Sequence, residues 1–227
     1  MSFSVQTRTI IYEMKTLYLF RHGETEWNRL QRFQGHSDIA LNTLGREQAQ
    51  RLIAFFRSID LDMIFSSDLL RARETAQILI NELWEVQRVQ GGSQKVPLFE
   101  SPALREANLG LAEGLTPDQI ESRFGKGLIQ KWKSNLPEHR MTRYPEGETG
   151  HEVVSRMRGT LDEICRTFDF ETAAVSTHGG VLRRFLASIN EDAHEKVPIP
   201  NCVIYGVTYE PKTARWAFLS ALPRSGC

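Results

Sequence analysis

The chain lacks most of the features that tie a protein to nucleic acid, membranes or metals. Its 28 Lys+Arg are matched by 28 Asp+Glu over 227 residues. A chain with no basic excess is poorly suited to gripping nucleic-acid backbone. No apolar run approaches the roughly 18 residues of a membrane-spanning helix, so no membrane partner is expected. Residues 1–15 hold neither a continuous apolar core nor a small-residue cleavage site, which predicts no secretory leader and a cytoplasmic location. Cysteine is scarce: Cys165, Cys202 and Cys227 are widely spaced and form no C-x-x-C pair, which excludes a disulfide framework and a structural zinc site. His36, His139, His151 and His194 show no metal-ligand spacing, and neither a metal nor a cofactor is expected. No G-x-x-x-x-G-K-[ST] is present, so P-loop chemistry is unsupported, and Gly91-Gly92 reads as a loop rather than a dinucleotide fingerprint.

What remains is an ordinary globular composition, 41% apolar and 25% charged. The length, without repeats or a linker-like stretch, predicts one domain over residues 1–227. Strand and helix patterns alternate. Leu17-Tyr18-Leu19-Phe20, Met63-Ile64-Phe65 and Ala173-Ala174-Val175-Ser176-Thr177 are short apolar runs of the kind buried on both faces of a sheet. Residues 44–58 place Ala49, Leu52, Ile53 and Phe56 on one helical face, and residues 69–83 do the same with Ala72, Ala76, Leu79 and Leu83. Thr116-Pro117-Asp118-Gln119 and Thr149-Gly150-His151-Glu152 read as capping boxes. Residues 181–189 read as a helix, and 202–209 with 215–219 as a terminal hairpin. Residues 1–14, 87–95 and 135–150 read as the least regular stretches. The pattern predicts an α/β fold: a three-layer α/β/α sandwich with a mostly parallel central sheet and helices on both faces.

Ligands of such sheets bind beyond the carboxyl ends of the strands. The first run leads into Arg21-His22-Gly23-Glu24, the second into Ser66-Ser67-Asp68-Leu69-Leu70-Arg71, and the third into His178-Gly179-Gly180. Any one of these segments alone reads as a solvated turn. Together they put two arginines and two histidines on one sheet edge, an arrangement that requires an anion. Phosphate is the natural one, because guanidinium forks match its oxygens in two-point geometry.

At this point the ordered blocks resemble the histidine phosphatase superfamily, with its phosphoglycerate-mutase-like fold. They are Leu19-Phe20-Arg21-His22-Gly23-Glu24-Thr25-Glu26-Trp27-Asn28, Ser66-Ser67 with Arg71-Ala72, Leu104-Arg105-Glu106, Pro145-Glu146-Gly147-Glu148-Thr149 and Thr177-His178-Gly179-Gly180. The resemblance implies that His22 is a nucleophile phosphorylated transiently. It implies that Arg21, Arg71 and a protonated His178 hold the non-bridging oxygens, and that Glu106 protonates the leaving alcohol and then activates water. Asn28, Gly179, Gln34 and Gly35 are implied as further phosphate or substrate contacts. Glu113 is expected to be a supporting acid rather than the proton donor.

The superfamily holds both phosphatases and cofactor-dependent phosphoglycerate mutases. Mutases resemble one another in Glu-Arg-His-Tyr-Gly, Trp-Arg-Arg and His-Gly-Asn blocks; here the stretches are Glu106-Ala107-Asn108-Leu109-Gly110, Trp132-Lys133-Ser134 and His178-Gly179-Gly180. The differences favour a phosphomonoesterase acting on a small phosphorylated metabolite, with phospho-sugars, phosphoglycerates and ribazole phosphate all open. The mutase is the alternative, and a non-catalytic phosphate-binding regulator the second alternative. Residues 107–150 are expected to form a lid whose cations (Arg123, Lys126, Lys131, Lys133, Arg140, Arg143) face either substrate or solvent. Dimers are common in the superfamily, and a homodimer is the expected assembly if there is one.

Overall fold

The computed structural model describes residues 13–91, 94–134, 136–189 and 197–219; residues 1–12, His194 and Cys227 lie outside the described residues. In chain order the elements are β1 (Lys15–Arg21), α1 (Glu26–Arg29), α2 (Thr43–Arg51), α3 (Ile53–Phe56), β2 (Met63–Ser66), α4 (Leu70–Val89) and β3 (Leu98–Glu100). They continue with α5 (Pro117–Phe124), α6 (Leu128–Lys133), α7 (Gly150–Thr167), β4 (Thr172–Thr177), α8 (Gly179–Ile189), β5 (Ile204–Glu210) and β6 (Arg215–Phe218).

The six strands form one sheet in the order β3-β2-β4-β1-β5-β6. β3, β2, β4 and β1 run parallel, β5 is antiparallel to β1, and β6 closes the terminal hairpin on β5. Period-2 alternation of side chains divides the core between the two faces. Leu17, Leu19, Phe65, Ala173 and Val175 join the cluster that includes Met157, Leu161, Val181 and Phe185 of α7 and α8. Phe20, Ile64 and Ala174 join the cluster with Phe56, Ala76 and Leu79 of α3 and α4. Helices cover both faces, so the strands are apolar throughout, as expected of a buried parallel sheet.

Both capping boxes form as read: the Thr116 hydroxyl accepts from Gln119 N and that of Thr149 from Glu152 N. Three expectations need correction. The helix expected over 44–58 is split at Leu52, whose N–H bonds back to Ala49 O in a tightened turn. α4 runs on to Val89, into the stretch read as irregular. β3 was not anticipated; it is three residues at the sheet edge with two of them exposed, too short and too open to carry an apolar signature. Pairing of Arg21 with Thr177 and of Ser66 with Ser176 aligns the carboxyl ends of β1, β4 and β2. The three segments that follow those strands therefore meet at one edge.

Candidate active site

His22 leaves β1 with its N–H bonded to Thr177 O of β4. Its ring is almost wholly buried, at 2% exposure. Nδ1 stands 2.7 Å from Gly23 O. A carbonyl only accepts, so Nδ1 carries the proton and Nε2 keeps its lone pair. The turn is held from several sides. Gly23 N donates to Thr75 Oγ1, which donates in turn to Arg71 O, and Asn201 Nδ2 donates to His22 O. A Cβ on Gly23 would lie 2.3 Å from Gly45 O, so the approach of these two backbones admits only glycine there.

The expected cations surround this ring. Arg71 is fully buried and donates from Nη1 to Ser37 O and from Nη2 to Gly35 O. Arg21 donates from Nη1 to Ile199 O. The His178 ring is fully buried, 5.2 Å from that of His22. Among the described residues, Arg21 Nε, Arg71 Nε, both ring nitrogens of His178 and Gln34 Oε1 are buried with no hydrogen-bond partner. Buried polar atoms are ordinarily paired; the Arg21 and Arg71 Nε–H groups and the His178 ring offer unused donors here, which suits an anion. Burial, then Arg71 and Arg21, push the His22 imidazole well below its usual 6.5. Burial, then Arg71, His22 and Arg21, do the same to His178. Burial also brings the Arg71 guanidinium down to about 10. In the absence of an anion, burial and these neighbours disfavour the charged form of the His178 ring. A dianion arriving beside it favours the charged form.

Glu106 does not pair with Arg105, which forms a two-point bond with Asp68 at 2.6 and 2.7 Å. Its carboxylate lies at the N-terminus of α8, accepting from Gly180 N at 2.8 Å, Val181 N at 2.9 Å and Ala107 N at 2.9 Å. A Cβ on residue 180 would stand 2.6 Å from Glu106 Oε1. The second glycine of His178-Gly179-Gly180 thus lets the carboxylate reach the helix end. The backbone of Glu106 is gripped from behind: its carbonyl oxygen takes hydrogen bonds from Arg156 Nη2 and His36 Nε2. Arg156 pairs with Glu148 through Nε and Nη2, each at 2.8 Å. Burial opposes ionisation of Glu148, but the Arg156 bond and the Asn108 N–H outweigh it and hold the carboxyl below its usual range. Glu113 accepts from His36 N, Ser37 N, Ser37 Oγ and Leu109 N; it ties the Gly35–Ser37 turn to the segment after Glu106.

Arg21, His22, Asn28, Gln34, Gly35, Arg71, Glu106 and Gly179 line one cleft of about 380 Å³, with His178 buried against His22. Asn28 Oδ1 is engaged by Thr25 N and Asn201 Nδ2, which leaves the NH2 as its available end. Phe33, Leu109 and Trp132 give the cleft apolar walls, and Arg32, Lys133 and Arg183 add positive charge. Of the six lid cations named from sequence, Lys133 alone belongs to this lining; the others are exposed elsewhere. Sequence reading missed Thr75, Asn201, His36, Arg156 and Arg183. Glu148 stands within the quoted Pro145-Glu146-Gly147-Glu148-Thr149 block. Asn201 and Arg156 carry no local signal, because their partners lie 179 and 50 residues away.

Against this geometry the chain can be placed among known proteins. The sequence model of the histidine phosphatase superfamily, branch 1, matches residues 17–221. The chain belongs to the histidine phosphatase superfamily. It is 30% identical over 203 residues to a probable phosphoglycerate mutase, GpmB, of Erwinia tasmaniensis, covering 87% of this chain and 86% of that one. It is 29% identical over 177 residues to the uncharacterized phosphatase PhoE of Bacillus subtilis, covering 78% of each. Among solved structures, YhfR of Bacillus stearothermophilus superposes with a TM-score of 0.73 at 29% identity, covering 90% of this chain and 95% of that one.

Proposed function

We propose that this protein is a phosphomonoesterase in which His22 carries the phosphoryl group between two half-reactions, acting without metal or organic cofactor on a small phosphorylated metabolite. The observation that carries the reading is the Nδ1–Gly23 bond, which leaves Nε2 unprotonated among guanidinium groups directed at the same cleft. In the first half-reaction Nε2 attacks phosphorus, the ester P–O bond breaks, and Glu106, entering the step as the protonated acid, gives its proton to the departing alkoxide. In the second, water attacks phosphorus while Glu106 takes a proton from it. The P–N bond breaks, orthophosphate is formed and His22 is restored. Arg21, Arg71, His178 and Asn28 stabilise the equatorial oxygens, where phosphoryl transfer needs charge and position above all. Residues 107–150 act as the lid, giving the cleft Leu109, Pro117, Trp132 and Lys133.

Hydrolysis of p-nitrophenyl phosphate in EDTA tests this reading. Activity is expected in the wild type and a loss of at least about a thousand-fold in His22→Ala. Activity that needs added metal, or that survives the substitution, contradicts it. The mutase reading has support in the name of the Erwinia relative and in the extra cations Arg32, Lys133 and Arg183, which suit a substrate with a second acidic group. Interconversion of 3- and 2-phosphoglycerate, strongly stimulated by 2,3-bisphosphoglycerate, would decide for it.

A further inference from the structure

A second cavity, of about 260 Å³, lies between the start of α7, the last turns of α8, Ser134 and Arg140. It shares no lining residue with the cleft described above. Its walls include Arg184, Arg140, His151, Ser134 and Gly150, and no described carboxylate lines it. Arg184 is the unusual member. It is 7% exposed, yet the ion pairs among the described residues all involve other arginines. Its guanidinium lies 4.4 Å from the ring centroid of Trp132 and donates from Nη2 to Trp132 O. Neither contact supplies negative charge.

The surroundings add to the positive potential. Arg184 Nη1 lies 2.7 Å from where a Cβ on Gly150 would stand. Gly150 is the first residue of α7, so the guanidinium abuts the positive end of an 18-residue helix. His151 N donates to Arg140 O, which pins the Arg140 backbone to that same end. Ser134 Oγ accepts from Leu136 N, leaving its proton to donate. The nearby acid Glu152 is committed to the cap, accepting from Thr149 N and Thr149 Oγ1. Burial draws the Arg184 pKa down, with Glu106 opposing, as expected of a desolvated cation without a paired anion among the described residues.

We propose that this cavity is a second anion site, taking a small oxyanion of the size and charge of inorganic phosphate between Arg184, Arg140 and the Ser134 hydroxyl at the start of α7. The site stands apart from the catalytic reading, because it uses other residues and its occupancy does not require turnover. It adjoins the cleft at Trp132, which lines the cleft while its carbonyl receives Arg184, and through the neighbouring pairs Lys133–Ser134 and Arg183–Arg184.

Equilibrium dialysis with radiolabelled inorganic phosphate tests the proposal on the whole chain. The wild type is expected to bind two phosphates. Arg71→Gln, which weakens the cleft, is expected to retain one. Ala187→Glu puts a carboxylate into the cavity one turn from Arg184 and is expected to retain one while still hydrolysing p-nitrophenyl phosphate. The double variant is expected to bind none. Circular dichroism checks folding. Should Ala187→Glu fail to fold, Arg140→Gln at an exposed position is expected to weaken the second site about ten-fold, which is one 1.4 kcal/mol step. Binding that disappears altogether in folded Arg71→Gln, is unchanged in both Ala187→Glu and Arg140→Gln, or saturates at the second site only far above millimolar phosphate overturns the proposal. None of these results depends on whether His22 is the nucleophile.

Discussion

A carbonyl oxygen can only accept a hydrogen bond, and that decides which nitrogen of His22 is free. In the proposed reaction the nucleophile is thus prepared by a tautomer rather than by a neighbouring base, and burial with two guanidinium neighbours disfavours its protonation. Burial and those cations place its pKa well below 6.5, so the acid limb of kcat/KM is expected to lie below the usual histidine range. A limb at or above 6.5 would show that the ring is not held as described. The leaving-group acid gives a sharper expectation. In Glu106→Gln, loss of rate is expected to be about 10²–10⁴-fold for an alkyl phosphate and much smaller for p-nitrophenyl phosphate, whose leaving group needs no proton. Equal losses for both would remove Glu106 from that role. Gly180→Ala is expected to show the same leaving-group dependence more weakly, because its Cβ displaces the carboxylate.

At the scale of elements, two helices hold Glu106 from opposite sides. The first amides of α8 bind its carboxylate, and Arg156 of α7 binds its carbonyl while pairing with Glu148. In Arg156→Met, a largely buried Glu148 loses its partner. The expected cost is about 2–3 kcal/mol by urea denaturation, with kcat falling more than KM changes; Arg156→Lys is expected to recover little, since the contact is two-pronged. An unchanged denaturation midpoint would contradict this. Thr149→Ala is expected to cost about 1 kcal/mol through the lost cap of α7. Much at this scale was legible beforehand. Strands β1, β2 and β4 are legible as apolar runs, with Arg21 and His22 at the end of β1, His178 directly after β4, and Arg71 in the first turn of the helix that follows β2. Capping boxes marked α5 and α7. What stayed hidden depends on long separations or on weak local pattern: Arg156 and Asn201 act on residues far off in the chain, and β3 is a short exposed edge. Sequence left the direction of the lid cations open, because a lysine or arginine in a loop gives no sign of where it points; Lys133 lines the cleft, and Arg183, on α8 directly before Arg184, lines it too.

For the whole molecule, the cleft is a place where stability and binding are traded. His22 and His178 are both held neutral in the folded chain, whereas the unfolded chain protonates them near pH 6.5. Above that pH both states carry neutral rings and the pair has no effect on stability. As pH falls below 6.5 the unfolded state binds more protons, so stability drops, by at most about 2.7 kcal/mol per pH unit for two groups. The loss continues until pH approaches the depressed folded values. The urea midpoint is therefore expected to fall between neutral and mildly acid pH, and the fall to shrink in His22→Gln/His178→Gln. Phosphate is expected to restore part of it, because a bound dianion favours the protonated rings and stabilises the folded state by mass action. A midpoint flat across that range would contradict the burial of neutral histidines.

The most direct measurement is a trap of the phosphorylated enzyme. The protein is mixed with substrate, quenched in alkali, where phosphohistidine survives, and digested for mass spectrometry. Phosphate on the peptide containing His22, formed within the first turnover and absent from His22→Ala, is the predicted result. Label on another side chain, or product released at full rate with no phosphohistidine at any time, would contradict the account.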